Sequence, residues 1–187
     1  MSVLICPGFH SSQLTKSFVR GLRSTDDRDF SSNLLIFPAS DYSPLSASDI
    51  VKFLEKHQGN PQQAEPVIFI SFSAGVVGAI MAAIAWENKS GKVKAFFALD
   101  GWGVPLWGNF PIHRLSHDYF THQSSALLGA GEDSFYADPP VEHLQLWRSP
   151  QDTQGWWVKA PGCKISCSAA EFLTFMGGSF LDSNAAK

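Results

Sequence analysis

The sequence predicts an α/β fold, a three-layer α/β/α sandwich around a mostly parallel sheet of five or six strands. Two observations lead to this prediction. Within the first 100 residues, short apolar runs alternate four times with segments of helical spacing, a pattern typical of parallel sheets covered by helices. In addition, the 187 residues are 44% hydrophobic and only 17% charged, the profile of a chain that builds one sizeable core.

The first half of the chain supplies four strands and three helices. Each predicted strand is a short apolar run that stops at a turn or a polar residue, and the four runs cover residues 3–6, 33–37, 67–70 and 93–99. The helices show three- and four-residue apolar spacing, or are rich in small apolar residues, over residues 14–22, 48–58 and 74–88. The polar residues 23–32 predict a solvated loop.

The second half is less regular. Residues 101–125 hold two tryptophans and three histidines without a clear period, and we expect an irregular covering loop there. The remaining predicted elements are a fifth strand at residues 126–128, a long loop at 129–140, a short helix at 140–148 and a last strand at 156–159. A helix opened by a capping box follows at residues 168–176. Residues 1–187 are expected to form a single domain.

Charge and hydropathy exclude several classes of partner. The formal net charge is −3 and no basic run appears, so we expect no nucleic acid to bind. The longest apolar stretch, residues 76–86, is too short to span a bilayer, and the N-terminal residues lack the pattern of a signal peptide. The sequence therefore predicts a cytoplasmic protein without a membrane partner, and it leaves the oligomeric state open.

A serine at a strand-to-helix corner is the first candidate for chemistry. The stretch FISFSAG ends the third strand and places Ser73 between small residues at positions 71 and 75. A sharp turn of this kind exposes the hydroxyl and aims the next backbone N–H, that of Ala74, at a developing oxyanion. The loop LICPGFHSS after the first strand offers a second N–H, at Phe9 or His10. A plain helix-capping turn is the alternative interpretation.

These two motifs resemble those of the α/β-hydrolase superfamily, in particular its small bacterial serine esterases and retinoblastoma-binding-protein-like members. The resemblance covers residues 3 to about 100, although Ser71 stands where the superfamily's elbow has its first glycine. It implies an esterase or thioesterase with Ser73 as nucleophile and with the N–H groups of Phe9 and Ala74 as the oxyanion hole.

The histidine that Ser73 would need is not in the expected place. In that superfamily it follows the last strand, whereas no histidine follows His143 in this chain. We predict that His117 is the base, because it lies far enough beyond Asp100 to fold back over the strand ends. His122 and His143 are its rivals.

The acid is predicted to be Asp100, which ends the strand after the one that carries Ser73. The carboxyl ends of parallel strands face the ligand crevice, so a carboxylate there is able to orient an imidazole. Asp133, in a later loop, is the rival. His113, His117 and His122 lie within ten residues beside Asp118, but we expect no metal because a convincing fourth ligand is missing.

The predicted activity is hydrolysis of a small ester or thioester, without a cofactor. His10, Trp102 and His122 are expected to contact the acyl substrate. The alternative is a catalytically inactive α/β-hydrolase fold that binds a ligand or a protein partner, and the lack of a histidine beyond position 143 favours it.

Overall fold

The computed structural model describes residues 1–25, 33–129, 131–160 and 162–182. They form one eight-stranded sheet with helices on its faces, so the predicted α/β class and mostly parallel sheet are confirmed. Most of the predicted solvated loop at residues 23–32 lies outside the described residues. Within the described residues, no helix combines the length and the apolar character that crossing a membrane would require.

The first four strands follow the apolar runs of the sequence, whereas most of the later ones do not. The strands are β1 Ser2–Cys6, β2 Leu34–Ile36, β3 Val67–Phe72, β4 Val93–Leu99, β5 Ile112–Ser116, β6 Ser134–Ala137, β7 Gln154–Ala160 and β8 Cys163–Ser168. The helices are α1 Ser12–Thr25, α2 Ala47–Gln58, α3 Gly75–Asn88, α4 Tyr119–Ala126, α5 His143–Arg148 and α6 Ala169–Asp182. A single 3₁₀ turn, Pro61–Gln63, precedes β3.

The strand order is β2-β1-β3-β4-β5-β6-β7-β8. The strands from β2 to β6 pair in parallel, whereas β7 and β8 pair antiparallel at the far edge. The carboxyl ends of β3, β4, β5 and β6 therefore open at the same edge of the sheet, which is where open α/β sheets bind ligands.

Alternate residues of the central strands point into two separate cores. Val3 and Ile5 join the core beneath α1, α5 and α6, while Leu4 and Cys6 join the core beneath α2 and α3. Because both faces of the sheet are covered there, β1, β3 and β4 read as nearly continuous apolar runs and were recognisable in the sequence.

Four predictions for the second half are wrong. Residues 101–125 are not an irregular loop throughout, because they contain β5 and most of α4. Residue 126 ends α4, so no strand starts there, and the sixth strand lies inside the predicted loop 129–140. The sheet of the described residues has eight strands rather than five or six, since β5, β6 and β8 were not predicted and residues 126–128 form no strand.

Buried polar side chains hid β5 from a hydrophobicity pattern. Its sequence is IHRLS, and all five residues are buried. The Arg114 guanidinium donates to the carbonyl oxygens of Val104, Leu128 and Gly129 at 2.6–3.0 Å, so Nε and Nη2 have hydrogen-bond partners inside the protein. These bonds also tie the loop after β4 to the end of α4.

The start of α3 presses against the loop after β1. A Cβ atom at Gly75 would lie 2.4 Å from the carbonyl oxygen of Cys6 and 2.5 Å from that of Pro7. Both obstacles are backbone, which has no freedom to move aside without shifting β1 or the turn at Ser73. The glycine is therefore required by close approach.

We expect Gly75→Ala to lower the free energy of unfolding by about 3 kcal/mol or more, because the methyl group overpacks a rigid contact. Gly103→Ala is the matched control: its φ of +76° strains an L side chain, but nothing lies within 4 Å of the added atom, so a loss of about 1–2 kcal/mol is expected. Urea unfolding of both variants measures the difference. Equal losses of unfolding free energy in the two variants would contradict the explanation that the added methyl group at position 75 overpacks a rigid contact.

Candidate active site

Ser73 sits in a strained backbone conformation at the end of β3. Its φ is +53°, in the left-handed region that non-glycine residues rarely adopt, and such strain tends to concentrate at functional sites. Ser71 replaces a small residue before the turn without cost, because its buried hydroxyl donates to the carbonyl oxygen of Phe97 at 2.9 Å. The corner is thus a sharp turn that holds the Ser73 side chain at the strand edge.

Asp100 occupies the equivalent position on the neighbouring strand. It follows β4 directly, has a φ of +49°, and its N–H donates to the carbonyl oxygen of Leu115 at 2.8 Å. Because β3 and β4 are parallel and paired in register up to Phe72 and Leu99, Ser73 and Asp100 emerge side by side. The Asp100 side chain is only 2% exposed.

Two histidines bind the same oxygen of Asp100. The Nδ1 atoms of His117 and His143 each lie 2.9 Å from Asp100 Oδ2, and the His117 backbone N–H donates to Oδ1 at 2.9 Å. On the other side of its ring, His143 Nε2 lies 3.1 Å from the Ser73 hydroxyl oxygen. Serine, histidine and carboxylate are therefore connected by consecutive hydrogen bonds.

The position of His143 follows from the missed strand β6. The chain leaves β6 at Ala137, and the Val141 N–H donates to the His117 carbonyl oxygen at 3.0 Å, which docks this loop on the end of β5. His143 is then the first residue of α5. Its ring stacks on Phe72 at 4.7 Å between centroids, and Phe72 stacks on Trp147 at 4.9 Å.

The histidine beside Ser73 is thus His143, whereas the sequence predicted His117 for that place. The physical reason is that β6 is only four residues long and lies within a polar segment, so His143 was not recognised as the histidine after the last parallel strand. His117 lies on the opposite side of Asp100. The prediction that Asp100 is the nearby carboxylate agrees with these contacts.

Asp133, the rival carboxylate, is engaged elsewhere. Its Oδ2 atom accepts from the Trp157 indole N–H at 2.9 Å, and its carbonyl oxygen accepts from His113 Nδ1 at 2.9 Å. His113 is buried on β5 and stacks on Phe97. The predicted histidine cluster is therefore split, because alternation along β5 turns His113 into the core while His117 lies beyond the strand end.

His117 also faces a second carboxylate. Its Nε2 atom lies 3.7 Å from Asp118 Oδ2, and Asp118 itself caps α4 by accepting from the Thr121 N–H. The hydrogen bond to Asp100 raises the pKa of His117 above its ordinary value, and the charges of Asp100, Asp118 and Glu142 act in the same direction against the effect of burial.

The two N–H groups predicted for the oxyanion hole lie on segments that meet. A Cβ atom on Gly8 would lie 3.1 Å from Ser73 Cβ and 3.4 Å from the Ala74 nitrogen, so the loop after β1 passes directly over the corner. Phe9 follows Gly8, and the His10 N–H donates back to the Gly8 carbonyl oxygen at 3.0 Å. The absence of a Cβ at Gly8 makes this approach possible.

A cleft of about 340 Å³ opens onto these side chains. It is lined by Ser73, Ala74, Asp100, Trp102, Thr121, His117 and His143. Trp102 is held over the cleft by its indole N–H, which donates to the Ser124 hydroxyl at 3.2 Å. A larger cleft of about 530 Å³ near Trp107 and Glu87 contains none of the interacting groups described above, so we assign the chemistry to the smaller one.

The other two predicted substrate contacts lie outside this cleft. His10 packs against Phe72 and Trp147 and lines a separate pocket of about 240 Å³. His122 packs on Tyr136 at 5.0 Å between ring centroids. Of the three predicted contacts, only Trp102 borders the cleft.

Three side chains at this site have the chemistry of metal ligands. Asp100, His117 and His143 each offer one ligand atom, and these atoms all lie within 4.8 Å of one another. The sequence predicted no metal, and the cluster that it considered, His113, His117 and His122, shares only His117 with this group.

Comparison of the chain with protein-family models and with curated proteins finds no match. The function is therefore inferred from the geometry of the site.

We expect the stabilising effect of His117 to depend on pH. Its raised pKa means that the folded protein binds the imidazole proton more tightly than the unfolded chain, so this stability is present below the ordinary histidine pKa and is lost as the pH rises through the folded-state value. The loss of unfolding free energy in His117→Ala, measured by urea unfolding, should be larger at about pH 5 than at about pH 8.

His122→Ala provides a control of opposite sign. Burial, together with the charge of Lys164, lowers the pKa of His122, so protonation of this histidine disfavours the folded state. The contribution of His122 to the free energy of unfolding therefore increases as the pH rises. The effect of His122→Ala should therefore be smaller at about pH 5 than at about pH 8. If the loss of unfolding free energy changed with pH in the same direction in both variants, the assigned contacts would be contradicted.

Proposed function

We propose that this protein is a serine hydrolase of the α/β-hydrolase type that cleaves a small ester or thioester through an acyl-Ser73 intermediate. One observation carries the proposal: the Ser73 hydroxyl lies 3.1 Å from His143 Nε2, and His143 Nδ1 lies 2.9 Å from Asp100 Oδ2. A nucleophile, a base and an orienting carboxylate in hydrogen-bond reach define this reaction class.

The first half of the reaction forms the acyl-enzyme. The Ser73 oxygen attacks the substrate carbonyl carbon while its proton passes to His143 Nε2. Asp100 holds the ring through Nδ1 and stabilises the positive charge that develops on it. When the tetrahedral intermediate collapses, His143 gives the proton to the leaving alkoxide or thiolate, and the acyl group stays on Ser73.

The N–H groups of Phe9 and Ala74 are proposed to stabilise the oxyanion. The close approach of Gly8 to Ser73 and to the Ala74 nitrogen supports this, because it brings the two backbone segments to the same side of the hydroxyl. Backbone donors fixed in this way need no reorganisation when the charge appears.

The second half of the reaction releases the acid. A water molecule takes the place of the leaving group, gives a proton to His143 Nε2 and attacks the acyl carbon. The proton then returns to the Ser73 oxygen as the carboxylic acid leaves. In each half of the reaction, His143 takes up one proton and gives it away again, so the site returns to its starting state.

The cleft supports a small substrate. Its volume of about 340 Å³ is near the lower end of the range for ligand sites, which is roughly 300–1,000 Å³. Trp102 offers an apolar wall to an acyl chain. The predicted cytoplasmic location remains part of this proposal.

The alternative, an inactive binding module, was based on the missing histidine after the last strand. No histidine follows β7 or β8, but His143 stands after the last parallel strand, within reach of Ser73, and this supports the hydrolase over the binding module. The chain order Ser73, Asp100, His143 is also the order in which the α/β-hydrolases carry their triads.

We expect a fluorophosphonate probe to add covalently to Ser73. Intact-mass spectrometry should detect one adduct on the wild type and none on Ser73→Ala, because only an activated serine reacts. Ser17→Ala, which removes a half-buried serine on α1 away from the cleft, should label like the wild type. Unlabelled, folded wild type after prolonged incubation would overturn the proposal.

We expect His143→Gln to lower kcat for a short-chain aryl ester by about 10³-fold or more, near the level of Ser73→Ala, because the base is lost. His57→Gln, which changes an exposed histidine on α2, is the matched control and should keep full activity. Circular dichroism checks that each variant folds. Near wild-type turnover in folded His143→Gln would show that another residue is the base.

A further inference from the structure

The proposed mechanism leaves one interaction unused. A serine hydrolase needs one histidine on its carboxylate, whereas Asp100 Oδ2 receives the Nδ1 atoms of both His117 and His143 at 2.9 Å. Nothing in the acyl transfer requires the second imidazole. Two imidazoles that converge on one carboxylate oxygen are instead a familiar set of donors for a transition metal.

We propose that Asp100, His117 and His143 form a binding site for a zinc-like divalent cation, and that the bound cation blocks Ser73. The ligand types suit Zn²⁺, which takes histidine nitrogen at about 2.0–2.1 Å and carboxylate oxygen at about 2.0–2.2 Å. Tetrahedral ligands at those lengths lie about 3.3 Å apart. The two N–O pairs at 2.9 Å need to separate by a few tenths of an ångström, and the two nitrogens, which lie within 4.8 Å of each other, need to reach the same spacing.

The site has access and room for a fourth ligand. All three side chains line the cleft of about 340 Å³, and the side chains of His117 and His143 are 26% and 42% exposed. A hydrated ion is thus able to enter and to keep one water molecule. Three protein ligands plus water is the usual arrangement of an open zinc site.

The surroundings of the site also favour a cation. Asp118 Oδ2 lies 3.7 Å from His117 Nε2, which is the ring nitrogen left free when Nδ1 binds the metal. A metal-bound histidine commonly donates its other N–H to a carboxylate, which fixes the ring and strengthens the ligand. The site thus places two carboxyl groups, those of Asp100 and Asp118, beside the position of the ion.

Binding of the metal inactivates the base by moving its proton. In the proposed mechanism, His143 donates from Nδ1 to Asp100 and accepts from the Ser73 hydroxyl at Nε2. A metal on Nδ1 requires the proton to move to Nε2, which then donates to the Ser73 oxygen and is unable to accept. No net proton is released by this tautomer change. The inhibition rests on the proposed hydrolase function, whereas the binding itself does not.

The binding is tested by titrating ZnCl₂ into the full chain by isothermal calorimetry. A Cys163→Ser background removes the exposed free thiol at that position, which would otherwise bind zinc. We expect one ion per chain, also in Ser73→Ala, and at least about tenfold weaker binding in His117→Ala and His143→Ala, since even supporting residues of a metal site cost 10–100-fold. His117→Gln is the second variant if His117→Ala does not fold.

His122→Ala is the matched control, because it removes a histidine five positions along the chain that lies outside the group of ligands. It should bind zinc like the parent protein, and MgCl₂ should give no comparable binding, because Mg²⁺ prefers oxygen ligands. No binding heat with ZnCl₂, or equal zinc affinities in the parent and in both folded His117 variants, would overturn the site.

The inhibition is tested by the rate of fluorophosphonate labelling. Zinc should slow labelling of the parent protein, EDTA should restore it, and His117→Ala should need at least about tenfold more zinc for the same effect. Zinc that binds without slowing the labelling would overturn the inhibitory part. If the probe never labels the protein, the hydrolase proposal fails, and the calorimetry still decides the metal site.

Discussion

The side chain of Asp100 is the point on which the rest of the site depends. It is 2% exposed and accepts three hydrogen bonds, from the backbone N–H of His117 and from the Nδ1 atoms of two histidines. A buried carboxylate is costly unless its oxygens are satisfied. The three donors come from the end of β5 and from the start of α5, so these bonds also bring those segments to the end of β4, beside the strand that leads to Ser73.

Backbone strain and aromatic packing hold this arrangement in place. Ser73 and Asp100 both have positive φ, at neighbouring strand ends, and such conformations persist only where the surrounding structure imposes them. The constraint at Ser73 comes from the backbone contacts at Gly75, and the His143 ring is held by its stack on Phe72. The side chains of the proposed mechanism thus stand on parts of the fold that have little freedom to relax, which would suit preorganised catalysis.

The sequence predicted the parts of the fold and site that local patterns determine, and it failed where long-range contacts decide. The strands up to β4, the corner at Ser73 and the position of Asp100 followed from apolar runs and from parallel pairing. The strand β5 was missed because Arg114 is buried against carbonyl groups far along the chain, and β6 because four residues are too few for a period. Without β6, His143 had no strand to follow, and His117 was chosen in its place.

The central claim is that Asp100 fixes the proton of neutral His143 on Nδ1, which leaves Nε2 free to accept the proton of Ser73. Nuclear magnetic resonance of the ¹⁵N-histidine-labelled protein measures this directly, with the His143 signals assigned by their loss in His143→Gln. The account predicts a metal-free His143 that is protonated at Nδ1 and unprotonated at Nε2, and a shift away from this tautomer in Asp100→Asn. A neutral His143 ring with its proton on Nε2 in the metal-free wild type would contradict the account.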